Sequence, residues 1–411
     1  MAGRGSGGPP WTRFGVMDDL RATLESVAGP GSVSDSAVPR VTPSNAATCA
    51  TLLHAASTHG WRIAVRGNGT WCGAGADQAD FVLSTAGLST IRDLSAANLV
   101  ATVDAGLNWE SFQRTLLQHG AWVALDPPGA GRTVGSVVAS ATAGPLQSGF
   151  GAVRDQLLGL TVVTGDGRTV SPGGRVVKNV AGFDLTRLLC GSWGAFGVIT
   201  SVTFRLRAKP SEGLTLCHTG VIDDVMTAAL DLMRSGLTPP ALEIRREDGG
   251  NEWILLVRLL DTAAGVEAAR ASVRTLLPRL EVLPAAHADR LWNDGGAMTV
   301  GSVTLRVGAL ATQIAEAAAM VERALGPSTT SINPVAGWMR WNGDADAAAL
   351  HALRAAAEQR AMPLTIERGP PSLLEQLGHW GALAAGVSPL VDRLRVTFDP
   401  GAILVAPLRA A

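Results

Sequence analysis

Tyrosine is absent from this chain, and Lys178 and Lys209 are the only lysines among its 34 Lys and Arg residues. Beside so much alanine and glycine, that skew reflects a GC-rich coding sequence more than chemistry. Charge is scarce as well: 17% of residues are charged, below the ~25% of an average soluble domain. A net charge of −1 leaves no electrostatic case for a nucleic-acid partner. The four cysteines, Cys49, Cys72, Cys190 and Cys217, include no C-x-x-C pair. That argues against an iron–sulfur cluster, a zinc site or a disulfide framework. No apolar run reaches the ~18 residues of a membrane span, and residues 1–10 lack the apolar core of a signal peptide. The lead-in is read as disordered and the protein as cytoplasmic, with any membrane association made through partner subunits.

Two phosphate-binding signatures are missing too. No Gly-Lys-Ser/Thr triplet occurs, so there is no Walker loop. A Rossmann fingerprint needs a third glycine where Cys72 stands, and Gly129-x-Gly131 has its next glycine at Gly135. A nucleotide bound here is not presented to a Rossmann crevice.

The informative stretch is Arg66-Gly67-Asn68-Gly69-Thr70. The apolar, β-branched run Ile63-Ala64-Val65 predicts a short buried strand that delivers the chain into this turn. A strand ending in Gly-x-Gly can aim several backbone N–H groups into one concavity, which binds anions. Arg66 and the Thr70 hydroxyl add donors. An ordinary glycine turn is the competing reading. Further on, Pro128, Gly131, Thr133, Gly135 and Ser136 form a second Pro/Gly-rich loop feeding a small-residue helix over 137–143. A third block holds Gly191, Gly194 and Gly197 before a strand that opens with Val198 and Ile199. So many glycines in one place fit backbone wrapped around a ligand.

With 411 residues the chain is expected to hold two or three domains. Helices are predicted from Val16 to Val27, from Ser44 as cap to His59, and from Asn108 as cap to His119. Beyond Lys209-Pro210 the rhythm becomes strand–helix–strand–strand–helix, followed by strand–helix–strand–helix–strand. That pattern suits an antiparallel sheet with helices on one face, a ferredoxin-like layout. Glu247-Asp248 reads as a hairpin turn, residues 370–380 as irregular, and Pro389–Phe398 as a last helix.

These residues resemble a known family. The two glycine loops, Lys178-Asn179-Val180-Ala181-Gly182-Phe183-Asp184-Leu185, and the Gly191–Thr200 block look like the FAD-binding domain of the vanillyl-alcohol oxidase superfamily, PCMH type. The Lys-Asn-Val-Ala-Gly-Phe-Asp segment and the ending Phe398-Asp399-Pro400-Gly401-Ala402-Ile403-Leu404 are closest to the second FAD-binding subunit of bacterial glycolate oxidase. The resemblance runs from about residue 38 to 405. It implies an α+β protein: a lead-in and helix (1–36), a two-subdomain PCMH-type FAD-binding domain (37–210), a ferredoxin-like cap (211–382), and a C-terminal segment (383–411) returning to the FAD domain.

It also implies FAD as cofactor, held by Arg66, Gly67, Asn68, Gly69, Thr70, Pro128, Gly131, Thr133, Gly135, Ser136, Lys178, Asn179, Gly191, Gly194, Gly197, Val198 and Ile199. Members that attach flavin covalently through the first loop carry histidine there; Asn68 implies noncovalent FAD. The expected activity is that of the FAD subunit of a 2-hydroxyacid dehydrogenase, working with a second flavin subunit and an iron–sulfur subunit. The alternatives are a self-sufficient FAD oxidoreductase on another small alcohol or acid, and a non-catalytic assembly subunit. Catalytic relatives carry a His-rich cap segment, where this chain has Asn333-Pro334-Val335-Ala336-Gly337. No base is therefore assigned: of His218, His287, His351 and His379 none is clustered, and His379 is the best placed. Arg340 and Arg368 are the candidate carboxylate ligands, and Glu367 is a fallback base. The family's closing Asn-Pro-Gly-Arg is replaced by Val405-Ala406-Pro407-Leu408, which leaves the anchoring of the last loop open.

Overall fold

The computed structural model describes residues 10–71, 78–174, 183–247, 250, 252–293, 301–381, 383 and 386–405. Three of its sheets position the site. The first is parallel and small: Arg40–Val41, Phe81–Ser84 and Ile63–Arg66, with Phe81–Ser84 in the centre. Leu404 adds to its open edge, because Ile63 N donates to Ile403 O (2.8 Å) and Val405 N to Ile63 O (2.9 Å). The helix Ala46–His59 covers this sheet through Cys49, Leu52, Leu53 and Ala56. Its cap is Asn45, whose side chain accepts from Thr48 N, not the neighbouring Ser44. Both are good capping residues, and the choice falls to whichever backbone is extended just before the first turn.

The second sheet is antiparallel, ordered Ile91–Ser95, Val100–Asp104, Val198–Arg205, Leu157–Val163, Thr169–Val170. Trp109 and Phe112 of the helix Trp109–Gln118 pack against Phe204 of this sheet, with ring centroids 5.9 and 5.7 Å from it. A fully buried side chain of this size contributes roughly 1.5–3 kcal/mol. The small-residue helix runs over Val134–Ser140, three residues earlier than its composition indicates, because Thr133 caps it by accepting from Ser136 N.

The third sheet has eight strands, every pair antiparallel: Glu281–Val282, Glu212–Gly220, Trp253–Asp261, Ala241–Arg246, Thr329–Asn333, Trp338–Gly343, Val303–Gly308, Leu364–Arg368. One face carries Leu242, Ile244, Leu255, Val257, Leu305, Val307, Met339, Trp341 and Ile366. It packs on the helices Ile222–Arg234, Ala263–Leu276, Ile314–Leu325 and Ala347–Glu358. Strand alternation sends Glu243, Arg245, Ser331, Arg306, Arg340 and Glu367 to the opposite face. That polar face is buried: Glu243 and Arg340 are 0% and 3% exposed.

Four elements here depart from the sequence expectation. Thr329–Asn333 is a central strand, although it is nearly all polar. Its Ser331 hydroxyl donates to buried Glu243, so polarity serves the hidden face. Pro371–Leu377 is helical where irregular chain was expected, started by proline at its first turn. The edge strand Glu281–Val282 is two residues long, too short to leave a sequence pattern. The helix Ala285–Asn293 lies on the polar side over Leu256, so the helices are not all on one face.

The polar face seats on residues 143–149, between the short helix and the second sheet. Arg340 Nη1 donates to Ala143 O (2.7 Å), Trp338 Nε1 to Gln147 Oε1 (3.1 Å), and Gly149 N to Pro240 O (3.1 Å). Ser148 Oγ meets Asn333 Oδ1 at 3.1 Å. These bonds fix the eight-stranded sheet relative to the glycine loops.

Candidate functional site

Where the strand Ile63–Arg66 ends, the chain enters the loop 67–71, and this loop locks to the second glycine loop. Asn68 Nδ2 donates to Gly131 O (2.9 Å). Gly67 sits so close to Thr133 that a Cβ on it would lie 2.3 Å from Thr133 Oγ1. Glycine is required there by proximity alone. The third glycine block docks onto the end of the short helix, with Gly191 N donating to Val138 O (3.0 Å) and Trp193 N to Ala139 O (2.9 Å). Trp193 adopts a left-handed backbone (φ 52°), a conformation that costs a bulky residue energy unless its surroundings impose it.

Between these loops lies a cleft enclosing about 920 Å³ of space, part of it open to solvent. Of the residues expected at a ligand, Arg66, Gly67, Asn68, Gly69, Thr70, Thr133, Gly135, Ser136, Gly194, Gly197 and Ile199 line it. Pro128, Gly131, Gly191 and Val198 do not. Pro128 O accepts from Arg132 Nη1 (3.1 Å), Gly131 O accepts from Asn68, and Gly191 packs on Ala141. Val198 is fully buried with Ile63, Leu83 and Ile403. Lys178 and Asn179 lie outside the described residues.

The cleft also has walls that the sequence did not point to: Val65, Trp71, Thr85, Ala139, Ser140, Trp193, Leu404 and Val405. Behind it, Arg132 is 1% exposed. Its guanidinium stacks 4.4 Å over the Trp71 ring and donates to Ser136 O (3.0 Å) and Ser140 Oγ (2.7 Å). Arg132 thus braces the wall from within.

His379 joins the cleft from the side of the eight-stranded sheet. Its ring lies 4.8 Å from that of Trp193, and its Nδ1 is 2.6 Å from Ile366 O. With a carbonyl oxygen as partner, Nδ1 carries the proton. Burial, with Arg66 and Arg354 nearby, lowers its pKa to about 4, although the Ile366 bond works the other way. The imidazole is neutral at pH 7.

The other two candidates are committed within the protein. Arg340 Nε donates to Glu367 Oε2 (2.8 Å) and Nη1 to Ala143 O, while its guanidinium stacks 4.2 Å over Trp338. Arg368 Nη2 donates to Gly301 O (2.7 Å) and Nε to Thr304 Oγ1 (3.3 Å). A cation the sequence did not single out is placed differently. Arg306 Nε stands 3.0 Å from Glu367 Oε1, and 40% of its side chain is open. Its terminal nitrogens have no partner among the described residues. Burial alone would raise the Glu367 pKa, but Arg340 and Arg306 outweigh it and hold the carboxyl below its ordinary range. Arg132 lies within electrostatic reach of Glu367, and Glu367 and Arg66 lie within reach of His379, whose ring packs on Trp193 of the cleft wall.

Comparison with known proteins agrees with this geometry. Residues 39–172 match the family model described as FAD binding domain. The glycolate oxidase subunit GlcE of Escherichia coli is 36% identical over 168 residues, which is 39% of this chain and 48% of that protein. The D-lactate dehydrogenase of Archaeoglobus fulgidus is 29% identical over 224 residues, 52% of this chain and 50% of that protein. The mitochondrial D-lactate dehydrogenase [cytochrome] of Arabidopsis thaliana is 32% identical over 161 residues, 39% of this chain and 28% of that protein. The aligned stretch spans half or less of each relative's own length. In fold, alkyldihydroxyacetonephosphate synthase superposes with a TM-score of 0.71 at 14% identity, over all of this chain and 87% of that one.

The residues present suit such a cofactor. A dinucleotide diphosphate asks for N–H and hydroxyl donors, a cation, room for backbone approach, and no carboxylate. The lining supplies five hydroxyl side chains and Arg66, with neither Asp nor Glu among its described residues. A Cβ at Gly69 or Gly194 would meet nothing within 4 Å, so both glycines front open space at positive φ. Residues 39–172 match the FAD binding domain family, and FAD is the cofactor.

Proposed function

We propose that the chain is the FAD-binding component of a 2-hydroxyacid oxidoreductase of the glycolate type. The observation that supports this reading most is the Arg306 guanidinium. It is held at one edge by Glu367 and open at the other, and Glu367 lies within electrostatic reach of His379, whose ring packs on Trp193 of the cleft wall. A planar fork whose two terminal nitrogens have no partner among the described residues suits a carboxylate bidentately. In this reading residues 37–210 and 383–411 form the cofactor unit and residues 211–382 the cap. The glycine loops around Gly67, Gly131 and Gly194 grip the diphosphate.

FAD, when bound, supplies the two-electron acceptor to which a 2-hydroxy acid loses its hydride equivalent on becoming a 2-oxo acid. The chain's own task is to orient the acid and hold its carboxylate. Proton removal is served poorly. Glu367 is kept ionised and weakly basic between two arginines, and His379 is buried at 1% exposure with a depressed pKa. A positioned base is worth roughly 10²–10⁴-fold in rate, so turnover by this chain alone is slow.

The absence of C-x-x-C pairs supports electron exit through a partner, an iron–sulfur subunit beside a second flavin subunit. The lining carries no His or Cys among its described residues, which supports noncovalent FAD. The deciding assay adds glycolate or D-lactate anaerobically to the FAD-loaded chain with a dye acceptor, with and without co-expressed partner subunits. Slow reduction alone and fast reduction in the complex is the expected result. Rapid bleaching by the isolated chain contradicts the need for partners, and no response in either form contradicts the substrate class.

A further inference from the structure

The last described residues of the chain touch the cleft twice. His379 reaches Trp193 from the eight-stranded sheet, and Leu404 and Val405 form a wall beside Arg66. Between them the helix Ser388–Phe398 ends at Asp399, which is 3% exposed. Both carboxylate oxygens of Asp399 face the strand that follows. Oδ1 accepts from Ile403 N (3.0 Å) and Oδ2 from Leu404 N (3.0 Å). The turn between them is tight, with Ala402 in a left-handed conformation (φ 49°) and its N–H donating to Asp399 O.

The surroundings leave this carboxylate one position. Gly165 lies so close that a Cβ on it would sit 2.2 Å from Asp399 Oδ1. Gly165 N donates to Phe398 O (2.8 Å), and Arg168 Nη2 donates to Thr397 O (3.1 Å), so the hairpin 163–169 clamps the helix end. On the far side Ile63 takes the strand into the parallel sheet, three residues before Arg66.

We infer that Asp399 is a positioning residue for the cofactor: it sets the strand 403–405, and through it the Leu404–Val405 wall of the FAD cleft. Without the carboxylate, two adjacent buried N–H groups lose their acceptor, and among the described residues the strand keeps only its Ile63 bonds. This accounts for how the chain anchors its last strand although Val405-Ala406-Pro407-Leu408 stands where the resembling family closes with Asn-Pro-Gly-Arg. The inference rests on the cleft being the FAD site.

The test titrates FAD into the apo chain for the wild type, Asp399→Asn and Gly165→Ala, alongside apo melting and amide exchange. Asparagine keeps the shape but turns an NH2 toward one of the two N–H groups. Alanine at 165 leaves Asp399 in place and displaces its carboxylate from behind, so it decides the matter if Asp399→Asn does not fold. Each variant should raise the FAD Kd about tenfold or more, speed exchange at the Ile403 and Leu404 amides, and leave cooperative apo melting. Variants that bind FAD as the wild type does, even with a lowered melting temperature, overturn the inference. A wild-type chain that takes up no FAD overturns the cofactor reading along with it.

Discussion

Gly67→Ala is the sharpest perturbation of the site, because the structure fixes what the new methyl group would meet. Its Cβ would lie 2.3 Å from Thr133 Oγ1 and 2.9 Å from Thr133 Cγ2, so one of them must retreat by about 1 Å to reach ordinary contact. Thr133 cannot turn away freely, since its hydroxyl caps Val134–Ser140 by accepting from Ser136 N (3.2 Å). Losing that cap costs about 1 kcal/mol. If the loops part instead, the Asn68–Gly131 hydrogen bond stretches, also worth about 1 kcal/mol. Overpacking of this kind costs roughly 1–3 kcal/mol, which corresponds to about a 5- to 150-fold loss of FAD affinity. The assay is FAD titration of apo protein, read by quenching of Trp71 and Trp193 in the cleft wall. Thr133→Ala alone should lower stability by about 1 kcal/mol and cost FAD affinity no more than its one lining hydroxyl, about tenfold or less. Combined with Gly67→Ala it should bring affinity back to that of Thr133→Ala, because the nearest obstructing atoms, Oγ1 and Cγ2, are gone. Wild-type affinity in Gly67→Ala, or a double variant no better than the single, would refute this reasoning.

The remaining expectations concern cofactor attachment and the buried charges. Acid precipitation of the loaded chain should release all flavin to the supernatant; colour retained in the pellet contradicts noncovalent binding. His379 titrates at about 4 folded and near 6.5 unfolded. Below pH ~6.5 the unfolded state therefore gains a proton that the folded state does not. Stability is unaffected above that pH and falls by about 3 kcal/mol between pH ~6.5 and ~4. Urea titrations at several pH values should show this slope flattened in His379→Asn, and an unchanged slope counts against it. Glu367→Gln leaves Arg340 and Arg306 facing each other without a counter-charge. It should destabilise the chain by about 3–5 kcal/mol, whereas a loss under about 1 kcal/mol in denaturant melts would show that the cluster relaxes.

What could be read from sequence was local. Arg66 to Thr70 announce themselves because a buried strand running into Gly-x-Gly is a nearest-neighbour pattern, and Asn108 caps its helix as its position indicates. Leu404 and Val405 could not be read the same way, since they become cleft wall only by joining the sheet edge beside Ile63. Pro128 and Gly131 lie in the expected loop, yet their carbonyls are taken up in bracing it. Thr329–Asn333 escaped notice because a strand buried on a polar seam loses the alternation that marks a half-exposed one. The arginines show the limit most plainly. Arg306, Arg340 and Arg368 sit on strands of one sheet, and their residue types are the same. Which of them is open depends on Glu367 two strands from Arg340, on Ala143 in another part of the fold, and on Gly301. None of these relations is adjacent in the chain.

The most direct measurement is a flavin difference spectrum of the FAD-loaded chain, titrated anaerobically with glycolate and D-lactate, for the wild type and Arg306→Ala. Binding of the acid beside the cleft predicts a saturable perturbation of the flavin band in the wild type. With one bidentate contact removed, half-saturation in Arg306→Ala should move by at least about tenfold. A flavin band that does not respond to either acid, or responds identically in Arg306→Ala, would contradict it.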